Sequence, residues 1–346
     1  MRIGRIGGAL LVSALVLSAC QLPGHHATRP SSSIRTPVAS TQAGEYQLLT
    51  EPNQGVASIY SFIRSARHSL DMVMYELEDG AAERDLAVDA TRGVDVRVIL
   101  NRQYTQSHNA PAYRYLAAHH VHVHWAPRAY FITHEKSIVV DNSRALIMTL
   151  NLTSQYYSTS RDFGVFDHNP ADVRAMVQVF NADFAGKKLT HTPRGADLIW
   201  SPGSAPGMLS VIDGAHHTLL VESEEMNSSQ VVGGLCAAAY RGVKVQVIMT
   251  RSYSWYYNFD KLVRCGVHVA TYSYYAKLYI HAKVTVADAA YPDRRAYVGS
   301  INFSDASMYY NRELGLVLGP SESPIIAALS ATLRHDYAGG QLWRSR

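Results

Sequence analysis

The stretch SARHSLDMVMYELEDGAAERDLAVDATRGVDVRVIL at 65–100 is matched, feature for feature, by GAHHTLLVESEEMNSSQVVGGLCAAAYRGVKVQVIM at 214–249. Each copy runs from an apolar strand ending in acidic residues, through a helix holding Leu86 or Leu235, to an RGV turn and a second alternating strand. Arg92 and Arg241 stand 149 positions apart, and His134 and His281, farther along, stand 147 apart. A nearly constant offset over such a span is what a tandem duplication leaves, with a small deletion between the two marks. One architecture therefore has to serve both halves.

Strands that alternate with helices of about ten residues predict α/β units with a largely parallel sheet. The spacing of Leu86 and Ala90 predicts a helix over 81–91, with Gly93 at its C-terminal stop. Each half then closes with a strand pair, THEKSIVVDNSRALIMTLN in the first and IHAKVTVADAAYPDRRAYVGSIN in the second, whose polar DNSR and DAAYPDRR turns read as hairpins of unequal length. The expectation is an α/β protein of two pseudo-symmetric lobes facing each other, 46–185 and 208–346, joined by a Pro- and Gly-containing linker at 186–207.

The first twenty residues carry two arginines, an apolar run from Ala9 to Ala19 and then Cys20, the layout of a bacterial export signal. The apolar run is too short to span a bilayer. LSAC at 17–20 resembles a lipoprotein processing site, which makes Cys20 the expected lipid anchor of an exported envelope protein, at the periplasmic face or the outer membrane; an ordinary cleaved leader of a secreted protein is the other reading. Ser, Thr, Pro and His dominate 21–45, which reads as a flexible tether. Without Arg2 and Arg5 the chain has 30 basic and 28 acidic side chains, a near balance with little electrostatic pull toward nucleic acid. Cys236 and Cys265, in an oxidising compartment, fit either a disulfide or two buried free thiols.

The chemistry sits in HEKSIVVD at 134–141 and HAKVTVAD at 281–288. On a strand, residues i and i+2 share a face, so His134 and Lys136 project together, as do His281 and Lys283. By the same parity Thr149 pairs with Asn151 and Ser300 with Asn302 on the partner strand, bringing an imidazole, an ammonium, a hydroxyl and an amide to one point. Eleven residues after each asparagine comes an acid on an apolar strand, Asp162 and Glu313, suited to orienting a histidine.

H-x-K-x4-D followed by G-S-x-N, present twice, resembles the phospholipase D superfamily. His134, Lys136, Asp141 and Asn151 match the first copy; His281, Lys283, Asp288, Gly299, Ser300 and Asn302 match the second. The first copy departs at Met148 and Thr149, where Gly and Ser are usual, and Met148 is expected to add bulk beside the pocket. The resemblance implies two phospholipase-D-like α/β/α lobes with the active site between them, and a metal-independent, cofactor-free phosphodiester reaction through a phosphohistidine that water or an alcohol cleaves. Two lysines and two amides would hold the phosphoryl oxygens and stabilise the transition-state charge. One neutral histidine would attack phosphorus while the other, protonated, serves the leaving oxygen. His134 is taken as nucleophile and His281 as acid, although near-symmetry leaves the reverse open. Asp162 and Glu313 would each bind an imidazole. Asp141 and Asp288 point away by parity and read as structural.

Other features have plainer explanations. His120, His122 and His124 in HHVHVH fall on one strand face, but the alternating valines favour a polar outer face over a metal site. HEK lacks the second histidine of a zincin. The sequons at Asn151 and Asn302 coincide with proposed site residues in a chain with a bacterial leader. Most of the tyrosines suit sheet and core packing, while the pairs after each asparagine are placed to meet a lipid headgroup or bilayer interface. Glu76 and Glu225 end equivalent strands and read as surface carboxylates or as cleft lining.

Four functions compete. The leading expectation is a phospholipase D hydrolysing membrane phospholipids of the phosphatidylcholine type to phosphatidic acid. The alternatives are a transphosphatidylase of cardiolipin-synthase kind, an exported metal-independent nuclease, and an inactive envelope lipoprotein that binds partners. The expected partner is phospholipid at a membrane surface, and both motifs in one chain make a monomer self-sufficient.

Overall fold

The protein, as a computed structural model, is described over residues 45–345. The leader at 1–20, Cys20 and nearly all of the 21–45 tether lie outside the described residues. Thr41–Arg346 is one compact unit that contains every sheet and core described below.

The first half contributes β1 (Tyr46–Glu51), β2 (Ser69–Met74), β3 (Asp95–Leu100), β4 (His122–Trp125), β5 (Ser137–Val140), β6 (Arg144–Met148) and β7 (Ser160–Asp167). They line up as β1-β7-β6-β5-β2-β3-β4. The second half repeats the series with β8 (Leu198–Ser201), β9 (Thr218–Ser223), β10 (Lys244–Thr250), β11 (His268–Tyr272), β12 (Lys283–Ala287), β13 (Arg295–Gly299) and β14 (Glu313–Leu318). Its order, β8-β14-β13-β12-β9-β10-β11, is the first with seven added to each label, and Gln341–Leu342 pair on beyond β11. The duplication is complete at the level of topology.

Two expectations change here. Only β2-β3-β4 and β9-β10-β11 run parallel; every other pairing within these two series is antiparallel, so each sheet is mixed. Helical crossovers enforce parallel pairing only where they occur, and the hairpin plus the first strand fill the rest of the sheet without one. The stretch at 186–207 also holds more than a linker: β8 pairs with β14 and opens the second sheet.

Helices α1 (Ala57–Arg64), α2 (Gly80–Thr91) and α3 (Gln106–Ala118) cover one face of the first sheet, as α5 (Ala205–Asp213), α6 (Ser229–Tyr240) and α7 (Tyr256–Arg264) cover the second. α2 follows its predicted course: the Asp79 carboxylate accepts from the N–H groups of Ala81 and Ala82, and Gly93 takes φ +89° at the stop. A disulfide joins Cys236 of α6 to Cys265 at the end of α7. The other faces of the two sheets, with α4 (Pro170–Phe184) and α8 (Ser323–Gly339), share one apolar core in which Ile147, Phe163 and Val165 meet Val284, Val298 and Leu316. Burying that common face is what fixes one lobe on the other.

His122 and His124 lie exposed on the edge strand β4, whereas His120 sits in the preceding turn at φ +64° and does not join their face. His124 stacks on Phe184, centroids 3.9 Å apart, and this accounts for it without a ligand.

Candidate active site

Both histidines lie just ahead of their strands rather than within them. Thr133 pairs in parallel with Arg312, and the His134 N–H donates to the Arg312 carbonyl at 2.9 Å. In the second lobe Tyr279 and Ile280 pair in parallel with Ser160 and Arg161 of β7. Each H-x-K segment is therefore laid against the acid-bearing strand of the opposite lobe. The grouping that strand parity gave holds, since His134 and Lys136 both meet Tyr75 and His281 and Lys283 both meet Glu224, but the backbone partner of each segment lies in the opposite lobe, which parity does not specify.

The consequence is a crossed pair of carboxylate–imidazole contacts. His134 Nδ1 lies 2.9 Å from Glu313 Oε2, and His281 Nδ1 lies 2.8 Å from Asp162 Oδ1. With Nδ1 engaged, Nε2 of each ring is the atom left for chemistry. Lys136 Nζ donates to the His134 carbonyl at 2.7 Å, and Lys283 Nζ to the His281 carbonyl at 2.5 Å, so the two halves repeat this detail as well.

Thr149 and Ser300 do not present free hydroxyls to the centre. The Thr149 hydroxyl donates to Asp162 Oδ1 at 2.5 Å and accepts from the Phe163 N–H; Ser300 accepts from the Leu314 N–H at 3.2 Å. They pin the acid-bearing strands, and through Asp162, Thr149 steadies His281. Met148 packs in the outer core of its own lobe and adds no bulk beside the pocket. Gly299 has a stricter reason: a Cβ there would come within 2.3 Å of Gly315 Cα.

Asn151 and Asn302 leave the strand ends one residue before the pairings Leu77–Leu152 and Met226–Phe303, a register that sets Asn151 opposite Glu76 and Asn302 opposite Glu225. The side-chain oxygen of each asparagine is buried without a hydrogen-bond partner, the kind of orphan a polar ligand resolves. Asp141 and Asp288, both at positive φ, turn away: Asp141 accepts from the N–H groups of Arg67, His68 and Ser69, and Asp288 from those of His216, His217 and Thr218. They tie the strand end to the loop before β2 or β9.

Two residues that the sequence pattern does not mark break the symmetry. Tyr75 and Glu224 occupy equivalent positions after β2 and β9. Tyr75 sets its ring edge against His134, centroids 4.6 Å apart, with Lys136 Nζ 4.9 Å from its centroid. Glu224 instead places a carboxylate 2.8 Å from Lys283 Nζ and 3.4 Å from His281 Nε2. Glu76 and Glu225, whose carboxyls are raised above the usual range first by burial, lie in the same region, and Glu225 reaches about 7. His134 is pushed down to about 4, by burial first and then by Lys136, against the pull of Glu313. It is neutral at neutral pH. His281 has a carboxylate beside each nitrogen, Asp162 at Nδ1 and Glu224 at Nε2.

Arg161 and Arg312, each directly before the acid, extend the crossing. Arg161 Nε lies 2.5 Å from Asp336 of α8, and Arg312 Nε lies 2.8 Å from Asp183 of α4, all four side chains being buried. The repeated R-D and R-E in SRDFGV and NRELGL was the available signal.

A family model described as "Cardiolipin synthase, PLD-like domain" matches 59–184 and again 208–336. The chain belongs to the phospholipase D superfamily. It is an enzyme of that superfamily, with a phosphodiester-transfer centre between two like lobes. It is 24% identical to cardiolipin synthase A of Cronobacter sakazakii over 82% of this chain and 68% of that protein, and 23% identical to that of Yersinia pseudotuberculosis serotype O:3 over 90% and 74%. Among solved structures, phosphatidylserine synthase of Haemophilus influenzae superposes with a TM-score of 0.68 at 12% identity, covering 88% of this chain and 89% of that one. Polyphosphate kinase of Porphyromonas gingivalis gives 0.64 at 14%, covering 84% and 47%. These two structures share the fold.

Proposed function

We propose that the chain is a transphosphatidylase, which moves a phosphatidyl group from one phospholipid to the hydroxyl of an acceptor alcohol. The observation that carries this reading is the crossed site itself: two complete sets of imidazole, ammonium and carboxylate meet at one point, enough for two successive in-line displacements. In the first, the His134 Nε2 lone pair attacks phosphorus, the bond to the headgroup oxygen breaks, and the proton on His281 Nε2 goes to the departing alcohol. In the second, His281 takes the proton of the acceptor hydroxyl, its oxygen bonds to phosphorus and the bond to His134 breaks. Lys136, Lys283 and the two asparagine amides balance the charge of the five-coordinate transition states.

Transfer rather than hydrolysis is supported by the likeness to cardiolipin synthases across most of the chain, and by Glu224, whose carboxylate beside His281 Nε2 is placed to accept from a hydroxyl of a polyol acceptor. Hydrolysis to phosphatidic acid uses the same first step with water in the second. No comparison supports a phosphatidylcholine-directed hydrolase. An export leader and a lipid at Cys20 would hold the enzyme on the envelope where its substrate lies; palmitate incorporation lost on Cys20→Ser tests that part.

The deciding experiment incubates the protein with phosphatidylglycerol vesicles in excess chelator and weighs the products by mass. Diphosphatidyl product with released glycerol, absent in His134→Asn and His281→Asn, is the expected result. Phosphatidic acid alone would restore the hydrolase, and cleavage of DNA or RNA with intact lipid would make the protein a nuclease.

A further inference from the structure

Aromatic side chains from both lobes stand exposed around the mouth of the site, in segments that also carry its chemistry. Phe131 lies three residues ahead of His134, and its N–H donates to the carbonyl of Tyr310 in the other lobe at 3.0 Å. Tyr104, 71% exposed, sits beside Phe131 with centroids 5.9 Å apart. On the second lobe Tyr274 and Tyr275, the latter 89% exposed, precede His281, and Tyr274 packs edge-on to Tyr279, which reaches Glu224. Rings of this size left in water cost free energy unless something covers them.

Cations accompany the rings. Tyr104 shares a surface groove with Arg102 and Arg128. Neither arginine has a carboxylate partner within salt-bridge distance among the described residues, in contrast to Arg64, Arg92 and Arg97. Lys277, two residues beyond Tyr275, is exposed as well.

We infer that this rim, Tyr104, Phe131, Tyr274 and Tyr275 with Arg102 and Arg128, docks the mouth of the site onto an anionic phospholipid surface. Aromatic rings settle at the headgroup level of a bilayer, and unpaired guanidiniums beside them meet lipid phosphates. A nucleic-acid strand also takes stacking rings and arginines, but it needs a continuous basic track. Here the rim offers Arg102, Arg128 and Lys277 as separate cations rather than a track, and the Glu224 carboxylate beside Lys283 lies in the site beyond them. Docking deepens the lipid reading above and rests on it: the substrate phosphate then enters from the bilayer between the two histidines without crossing water.

The test uses the self-contained chain from Thr41 onward, so that nothing before it touches the membrane, carrying His134→Asn so that no lipid is consumed. Binding is measured by co-sedimentation with phosphatidylcholine vesicles, with and without phosphatidylglycerol. Arg102→Ser with Arg128→Ser should lower partitioning onto the anionic vesicles by about 25-fold, from about fivefold per cation at the surface, and leave the zwitterionic vesicles unaffected. Tyr104→Ser with Phe131→Ser, and separately Tyr275→Ser, should weaken binding to both. Tyr104, Arg128, Phe131 and Tyr275 are exposed and Arg102 is half-buried, and unchanged unfolding curves verify that the variants fold. Binding equal to the parent in every variant overturns the inference, as does displacement of the vesicles by single-stranded oligonucleotide. In the His134-containing chain, turnover of a short-chain phospholipid below its micelle concentration should be the same with and without the rim substitutions. If that lipid is not turned over at all, the transfer reading fails while the binding data still decide the docking.

Discussion

Glu313 holds His134 across the boundary between the lobes, its Oε2 2.9 Å from Nδ1 and 179 positions away in the chain. The reciprocal contact, Asp162 with His281, closes the exchange. Neither lobe therefore contains an oriented histidine of its own, and the catalytic unit is the pair of lobes.

The crossing fixes which substitutions should interact. Glu313→Gln removes the charge that steadies His134 and should lower kcat by about 10²- to 10⁴-fold. In a double-mutant cycle, Glu313→Gln added to His134→Asn should cost almost nothing further, because both disable one unit. Combination with Asp162→Asn should cost more than either alone. Additive losses for Glu313 with His134 would mean that the carboxylate acts elsewhere.

In the proposed mechanism His134 is the nucleophile and His281 the acid, and the inequivalence of Tyr75 and Glu224 makes that assignment testable. A substrate with a nitrophenolate leaving group departs without a proton, so its first step needs the nucleophile and not the acid. With that substrate, His281→Asn should still form the phosphohistidine and release a burst of nitrophenol, while His134→Asn should give neither. A burst retained only in His134→Asn reverses the assignment.

Lys136 is held at about 7, by burial first and then by the neighbouring Lys283. Anion binding favours its charged form, so affinity is full below pH 7 and is lost as pH rises through that value. Sulfate, which does not titrate there, should inhibit progressively less from pH 6 to about 9. In Lys283→Met the repulsion is gone, and the midpoint of that loss should move upward even though binding is weaker throughout. A midpoint that stays in place would place the titration on another group.

Much of this was legible before any coordinates, and the failures share a cause. The repeat predicted the two lobes, and H-x-K, the asparagines, Asp162 and Glu313 all meet at the centre. Local periodicity also found α2 and its glycine stop, though not the Asp79 cap. Parity could not say that His134 pairs with the acid 179 positions on rather than with the one 28 positions on, because that choice is made by packing one sheet on the other. Thr149 and Ser300 were misread for a related reason: a hydroxyl near a strand end faces the backbone of its neighbour, and neighbour identity is topological. Glu224 went unnoticed because one carboxylate in ESEEM looks like the next, and only the fold turns that one toward Lys283. The parallel sheet was overestimated because the helices that signal it occupy only part of each lobe.

The two outer crossings offer a direct reading of how firmly the lobes are joined. Arg312 is 1% exposed and Asp183 6%, so removing one leaves the other charged and without its partner in the interior. Breaking a buried pair in this way costs about 3–5 kcal/mol, much more than the pair itself contributes over an apolar replacement. Arg312→Met should therefore destabilise the protein by that amount in urea, with a similar loss for Asp183→Leu, and the double variant should recover most of it. Because Arg312 directly precedes Glu313 and its carbonyl accepts from His134, the single variant should also lower kcat, and the double variant should restore stability more fully than turnover. Equal recovery of both would show that the ion pair holds the lobes together without setting the position of His134; recovery of neither would mean that the apolar pair cannot fill the site.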